Sequence, residues 1–229
     1  MKKILFSFAI LLICIPVLSQ EDYTITKDTS SGQESEIKSV FGHKKPVRRD
    51  VQLGWYAGAN FDYTRLVNKN AFLGGINAGC IINHFFSVGL AGYGFMNPNH
   101  LSFPVIEETN DNAYFWGGYG GVQIEFTVAP RFPFHIAFPL LIGGGAAMYS
   151  RNEMFNYDNH TYTGNWDVYD WDTYFVVQPG IRLELNLLKF MRFGIGASYR
   201  YVPDLDLIHT DKTMLDGING EVSLRFGKF

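Results

Sequence analysis

Charged side chains that alternate with apolar ones along short segments are the groups in this sequence with the greatest capacity for chemistry. Such segments contain three glutamates and four arginines: Glu125, Glu184, Glu221, Arg182, Arg192, Arg200 and Arg225. Alternation puts them on the polar faces of their segments, and a charge buried without a partner is strongly unfavourable. We therefore expect them to pair in an interior polar network. The alternative is a path for protons or ions, that is, a narrow channel.

Histidine and serine spacings do not form a recognisable catalytic motif. The six histidines are His43, His84, His100, His135, His160 and His209. Ser102 and Ser150 lie near some of them in the sequence, but neither spacing resembles that of a nucleophile and its base. We therefore expect no catalytic residue.

A bound metal, cofactor or nucleic acid is not expected either. Asp167, Asp170 and Asp172 lack the alternate spacing and the closing glutamate of a calcium loop. Cys80 is the only cysteine after residue 20, which leaves no pair for a disulfide within that part of the chain. A formal net charge of −3 provides no basic footprint for nucleic acid.

Acidic and aromatic residues concentrate in the segment 150–172. Its candidate binding residues are Tyr157, Tyr162, Trp166, Asp158 and Asp167. Aromatic rings beside carboxylates suit a sugar, a peptide or a cation. Packing of the rings within the segment itself is the alternative, and the sequence leaves both open.

The first fifty residues differ in composition and patterning from the rest. Two lysines follow Met1 and precede an apolar run over 4–18, which is typical of a secretory signal peptide, residues 1–20. Residues 21–50 are polar, with six acidic and six basic side chains, and are expected to form a flexible tail. Residues 51–229 are expected to form a single folded domain.

From residue 51 onward, apolar and polar residues alternate with a period of two, which favours strands over helices. Eight such runs occur, at about 51–64, 71–82, 85–96, 114–128, 134–149, 173–187, 190–202 and 217–229. The second, fourth and sixth connections are short and the others are longer. An antiparallel up-and-down barrel sorts its connections in this way. Pro139 and Pro179 each remove a ladder donor, so we expect β-bulges there.

The signal peptide, the eight runs and the terminal Phe229 together resemble the small outer-membrane β-barrel family of OmpA/OmpX-like architecture. Segments 74–79 and 179–186 resemble its broad β-barrel domain. The resemblance implies an all-β, eight-stranded antiparallel transmembrane barrel in the outer membrane of a Gram-negative bacterium. It also implies that Phe229 acts as a C-terminal sorting signal. Because Phe229 differs in parity from the apolar residues before it, either the register breaks near Gly227 or the ring points inward.

This family includes adhesins, structural anchors, secretion accessories and a few lipid-modifying enzymes, so the resemblance is specific for architecture. The expected partners are outer-membrane lipid and lipopolysaccharide, the barrel assembly machinery, and an extracellular ligand or envelope protein. We expect a non-enzymatic envelope component that binds through its acidic aromatic loops or supports a larger assembly. The alternatives are a lipid A deacylase-like hydrolase, acting through His100, His160 or His209 in outer loops, and a narrow channel.

Overall fold

The computed structural model describes residues 51–67, 69–96, 100–106, 111–151, 155–156, 161–162 and 167–229. The predicted signal peptide, residues 1–20, and the predicted tail, residues 21–50, lie outside the described residues. The strands of the described residues are β1 Leu53–Leu66, β2 Lys69–Ile82, β3 Phe86–Phe95, β4 Ser102–Ile106, β5 Asp111–Val128, β6 Phe134–Ser150, β7 Phe155–Asn156, β8 Thr161–Tyr162, β9 Val168–Leu188, β10 Met191–Arg200 and β11 Gly217–Lys228.

Eight of these described strands form a closed antiparallel barrel. Going round the barrel, the order is β1, β2, β3, β5, β6, β9, β10 and β11, and β11 pairs with β1 to close the ring. All seven steps from β1 to β11 are antiparallel pairings between ring strands that follow one another along the chain. β4 pairs with β5 outside the ring. The predicted eight-stranded antiparallel up-and-down barrel is confirmed.

Several strands extend further than predicted. The predicted loop over 65–70 shrinks to residues 67–68, since β1 and β2 stay paired up to Leu66 and Lys69. The inward side chains of Leu66 and Ala71 are fully buried there. β9 likewise begins at Val168 rather than at 173. Apolar contacts above the barrel mouth, described below, provide the packing that lengthens these strands.

The short turns lie together at one end of the barrel, here called the short-turn end. They are residues 83–85, 129–133 and 189–190. In the three-residue turn between the paired residues Ile82 and Phe86, Asn83 and His84 both have positive φ, at 53° and 65°. The opposite end, here called the cap end, has the three long connections, β3–β5, β6–β9 and β10–β11. It also has the two-residue β1–β2 connection at 67–68, so the prediction that this connection is one of the longer ones is wrong.

The predicted bulges at Pro139 and Pro179 are wrong. The β6–β9 register is the same on both sides of these residues, from Ala137 opposite Arg182 to Leu140 opposite Pro179. The two prolines therefore lie beside each other across the same ladder. Each proline lacks a backbone N–H donor. Because both prolines lie at the same place in the ladder, the register continues past them without the extra residue of a bulge.

The two faces of the barrel wall differ sharply. Outward apolar side chains remain 37–73% exposed along the barrel strands. They include Phe61, Ile76, Leu90, Phe126, Ile136, Phe138, Ile142, Phe175, Ile181, Leu183, Phe193, Ile195, Val222, Leu224 and Phe226. Aromatic rings mark both rims, with Trp55 and Phe190 at the short-turn end and Trp171 and Tyr201 at the cap end. No helix within the described residues is long and apolar enough to span a membrane.

Inward glycines make room for the charged side chains of the interior. A Cβ at Gly194 would lie 2.6 Å from Cδ of Arg182, and a Cβ at Gly58 would lie 2.8 Å from Cγ of Arg225. Both distances are shorter than a Cβ tolerates. The glycines of β1 and β10 thus allow two arginines to cross the lumen, which eight strands leave only wide enough to fill with side chains.

Candidate functional site: the barrel interior and its cap

Arg182 is the centre of the charged network inside the barrel. Its side chain is 1% exposed and contacts three carboxylates. Nε donates to Glu221 Oε1 at 2.8 Å, and Nη1 donates to Glu125 Oε2 at 3.0 Å and to Glu184 Oε1 at 3.2 Å. Since the residues come from three strands, β5, β9 and β11, the arginine links distant parts of the wall.

Further cations surround the same carboxylates on the side of the short-turn end. Arg225 donates to both oxygens of Glu125, at 2.6 and 2.9 Å, and lies 3.3 Å from Glu184. His135 Nε2 makes a 2.9 Å hydrogen bond with Glu184 Oε2, and Arg192 lies 3.6 Å from that oxygen. Glu184 therefore has four cationic or potentially cationic neighbours, whereas Arg182 is the only charged partner that the described contacts give Glu221.

Six of the seven residues predicted for the interior network meet in this way, and Arg200 does not. Arg200 is fully buried closer to the cap end, where its Nε donates to the backbone oxygen of Leu215 at 2.6 Å. Its guanidinium lies over the rings of Phe95 and Tyr119, at 5.5 and 5.7 Å from their centroids. Arg200 thus fastens the last long connection to the barrel.

Asp62 is a charged interior residue that the predicted network omits. Asp62 is fully buried on β1 and lies directly opposite Glu221 on β11. Its alternation with Asn60 and Thr64 already put it on the polar face in the sequence. Which carboxylate it faces depends on the β1–β11 register, which the sequence pattern does not contain.

Loop residues close the mouth of the barrel at the cap end. Described residues 100–106 and 202–216 cover the mouth and are here called the cap. Their apolar side chains pack on those of the barrel rim in one buried cluster. It contains Leu66, Ala71, Phe95, Leu101, Phe103, Val105, Ala113, Phe115, Tyr149, Val202, Leu205, Leu207, Met214 and Leu215. The mouth is therefore sealed by apolar packing, and the lumen below it by ion pairs.

Carboxylates at the rim hold the cap in place. Asp172 Oδ2 accepts a hydrogen bond from the backbone N–H of Asp206, and Asp170 Oδ2 accepts one from Ile208, both at 2.7 Å. Asp216 Oδ1 accepts one from the backbone of Val202, also at 2.7 Å. These carboxylates accept hydrogen bonds from the backbone of the same chain. The abundance of acidic residues at this end is therefore not in itself evidence for a ligand-binding site.

The base of the predicted binding loop is well defined. The backbone N–H of Arg151 donates to the backbone oxygen of Asp167 at 3.0 Å, and the Arg151 guanidinium lies over the Tyr169 ring at 5.0 Å. Tyr162 lies in β8, whose backbone pairs with β7. Tyr157, Asp158 and Trp166 lie outside the described residues, so their part in binding stays a prediction.

Phe229 turns inward at the short-turn end. The β1–β11 register runs unchanged through Gly227 opposite Tyr56, which removes the alternative of a register break. The Phe229 ring centroid lies 3.9 Å from Cζ of Arg192, and both residues line a small cavity of about 10 Å³. The ring therefore covers a buried arginine, and its role as a sorting signal stays a prediction.

The described geometry provides little support for a hydrolase that acts through histidines or for a metal site. His209 Nδ1–H donates to the backbone oxygen of Val105 at 3.1 Å, which joins the two parts of the cap. His160 lies outside the described residues. Among the side chains that the structure describes, no group of three or more His, Cys, Asp or Glu residues could hold a metal ion.

Comparisons with known proteins concern the fold. No family model matches the chain, and no curated protein matches it. Neisserial surface protein A has a TM-score of 0.49 and 13% identity, covering 78% of this chain and 99% of that one. The attachment invasion locus protein Ail of Yersinia pestis, solved with the heparin analogue sucrose octasulfate, has a TM-score of 0.39 and 14% identity, covering 76% and 96%. Ail in a phospholipid nanodisc has a TM-score of 0.38 and 12% identity, covering 77% and 99%.

The strand pairing of the chain itself carries the assignment of its architecture. The described residues form a closed ring of eight antiparallel strands, with apolar side chains outside and ion pairs inside. Strands of outer-membrane barrels alternate apolar residues that face the lipid with polar residues that face the lumen. The chain has the fold of a small eight-stranded outer-membrane β-barrel.

Proposed function

We propose that the chain is an integral outer-membrane protein that binds an extracellular ligand or an envelope partner and catalyses no reaction. The observation that carries the proposal is the combination of an apolar outer wall with a sealed mouth. Soluble proteins rarely expose large contiguous apolar patches, and a wall of this kind would promote aggregation in water. In a bilayer the same wall faces hydrocarbon, and the aromatic rims lie at the two interfaces.

The orientation follows from the connections. Short turns of such barrels face the periplasm and long connections face outward. The cap and the loop between Arg151 and Asp167 would then form the outer surface. The cap is a rigid platform because its backbone is bonded to Asp170 and Asp172 on β9. A platform fixed in this way can present the adjoining loop to a partner with little ordering cost.

Replacement of residues 152–166 by a Gly-Ser segment of equal length tests the binding function. The replacement leaves the backbone bond between Arg151 and Asp167 and both rim carboxylates in place, so the barrel should fold normally. Partners that co-purify from native membranes, identified by mass spectrometry, should be lost from this variant and retained by an Arg131→Met control on the opposite end. Retention of every partner would contradict binding through this loop, and loss on deletion of 21–50 instead would favour an assembly role.

The enzymatic and channel alternatives have direct assays. Purified protein in planar bilayers should give no discrete conductance steps, because the interior is closed by ion pairs and by the cap. It should release no fatty acid from lipopolysaccharide. Release that is lost in both His160→Ala and His209→Ala variants would overturn the non-enzymatic proposal in favour of a hydrolase.

A further inference from the structure

Each turn at the short-turn end contains a basic residue followed directly by phenylalanine. The pairs in the turns are His84–Phe85, Arg131–Phe132 and Lys189–Phe190, and a fourth pair, Lys228–Phe229, stands at the end of β11. The alternation of side chains along a strand does not require these pairs, because three of the four lie in turns. Their recurrence at one end of the barrel indicates a shared role.

The phenylalanines of the three turns extend the apolar outer wall beyond the strands. These residues are 47–68% exposed, with Phe132 at the upper limit. Phe134, at the start of β6, is 64% exposed beside it. A wall that faces hydrocarbon ends at the headgroup region of the bilayer, where aromatic side chains are enriched. The rings therefore lie at the boundary between acyl chains and headgroups.

The fourth position has the same chemistry, built from two strands. Phe229 turns inward over Arg192, but Trp55 is 48% exposed and lies opposite Lys228 in the β1–β11 register. Residues directly opposite each other on paired strands lie on the same face of the sheet. Lys228 and Trp55 are therefore neighbours on the outer wall, and every position combines a basic side chain with an exposed ring.

Three of the basic side chains have no counter-charge within the described residues. Arg131, Lys189 and Lys228 are exposed, and none of them forms an ion pair there. His84 differs, since its Nε2 makes a 2.5 Å hydrogen bond with Oε1 of Gln52. The described surface of this end, residues 51–53, 83–86, 129–134, 187–191 and 227–229, contains no Asp or Glu side chain. Three permanent positive charges are thus available to an anionic partner.

The four positions are distributed around the barrel. They lie between β2 and β3, between β5 and β6, between β9 and β10, and on β11 beside β1. Successive positions are two strands apart in the ring, which is about 10 Å. A protein partner that docks on one side would contact only part of this ring. A lipid leaflet surrounds the barrel and contacts all four positions.

The two ends of the barrel differ in charge. Exposed carboxylates at the cap end include Asp204, Asp206 and Asp211. Close to an anionic leaflet, each Lys or Arg strengthens the attraction about fivefold, whereas a carboxylate is repelled. The short-turn end is therefore suited to anionic lipid, and the cap end is not.

We propose that the short-turn end is a binding surface for anionic phospholipid, of which phosphatidylglycerol is an example. The exposed rings enter the edge of the acyl-chain region, and Arg131, Lys189 and Lys228 bind the phosphates of the surrounding headgroups. In the orientation given above, these lipids belong to the periplasmic leaflet. The site is separate from the outer loops, so it is independent of any extracellular ligand.

Electron spin resonance of spin-labelled lipids tests the proposal with the folded protein in phosphatidylcholine vesicles. Spin-labelled phosphatidylglycerol should associate with the protein several-fold more strongly than spin-labelled phosphatidylcholine at low salt. The preference should disappear at 1 M salt, where the Debye length is about 3 Å. Equal association of the two lipids at low salt would overturn the proposal.

Substitutions locate the site. The triple variant Arg131→Gln/Lys189→Gln/Lys228→Gln should lose the preference, whereas one substitution alone leaves two cations and should only weaken it. The matched control, Arg65→Gln/Lys212→Gln, removes two exposed cations of the cap end and should keep it. The heat-modifiable band on gels confirms that each variant is folded. An unchanged preference in the folded triple variant would overturn the proposal.

An acidic protein partner is the competing occupant, and soluble polyglutamate serves as its probe. Polyglutamate that binds the unmodified protein but not the triple variant, without any preference for phosphatidylglycerol, would overturn the proposal in favour of such a partner. The proposal predicts the lipid preference whether or not polyglutamate is present in the buffer at low concentration.

Discussion

Substitution of Arg182 by methionine tests the charged network, because each carboxylate loses a different share of its partners. Glu125 keeps Arg225, at 2.6 and 2.9 Å, and Glu184 keeps His135 and Arg225. Glu221 loses its hydrogen bond from Nε and its ion pair with Nη2. Removing one member of a buried ion pair costs about 3–5 kcal/mol, and we expect Arg182→Met to lower the free energy of unfolding by this amount.

A second substitution identifies where that cost arises. Adding Glu221→Gln to Arg182→Met removes the carboxylate left alone and should restore about 1–3 kcal/mol, the usual penalty of an unsatisfied buried group. Adding Glu125→Gln instead should restore nothing, since Glu125 still has Arg225. Urea unfolding in lipid vesicles, followed by tryptophan fluorescence, measures all three variants.

The control for these measurements is Arg131→Met in the exposed turn 129–133, which should change stability by no more than about 0.5 kcal/mol. An Arg182→Met variant within about 1 kcal/mol of the parent would refute the idea that this arginine neutralises buried carboxylates. Equal rescue by Glu221→Gln and Glu125→Gln would refute the assignment of partners.

Three further predictions concern the wall, the short-turn end and the cap. Gly194→Val should prevent folding, seen as loss of the heat-modifiable band on gels, because its Cβ would collide with Arg182. Phe229→Ala should cost about 0.5–2 kcal/mol in urea unfolding, since it removes the ring over Arg192; no change would mean that the ring packs elsewhere. In the parent protein the backbone N–H of Asp206 donates to the Asp172 carboxylate, so Asp172→Ala should speed hydrogen exchange at that N–H with little change in global stability. Unchanged exchange would contradict this attachment of the cap.

Alternation along the sequence predicts the strands well, because a two-residue period depends only on local residue types. It also identifies the inward charges, such as Arg182 and Glu221, from parity alone. It could not show that Arg200 leaves the network or that Asp62 faces Glu221, since both facts depend on how separate strands align. Register is a property of the closed barrel and of its turns.

The cap illustrates a second limit of the sequence. The many carboxylates of the long connections indicate a binding surface by composition. Asp170 and Asp172 at the end of β9, however, accept hydrogen bonds from the backbone N–H groups of Ile208 and Asp206 in the cap. These contacts join positions more than thirty residues apart, so no local pattern contains them. The inward turn of Phe229 was recognisable as one of two alternatives, and the continuous register at Gly227 decides between them.

Closure of the barrel between its first and last strands is the claim on which the account depends. Nuclear Overhauser contacts between β1 and β11 of the mature chain in nanodiscs measure it directly. The account predicts cross-strand contacts for Asn60 with Ser223 and for Asp62 with Glu221. Absence of these contacts, with β1 and β11 each exposed as a free sheet edge, would contradict it.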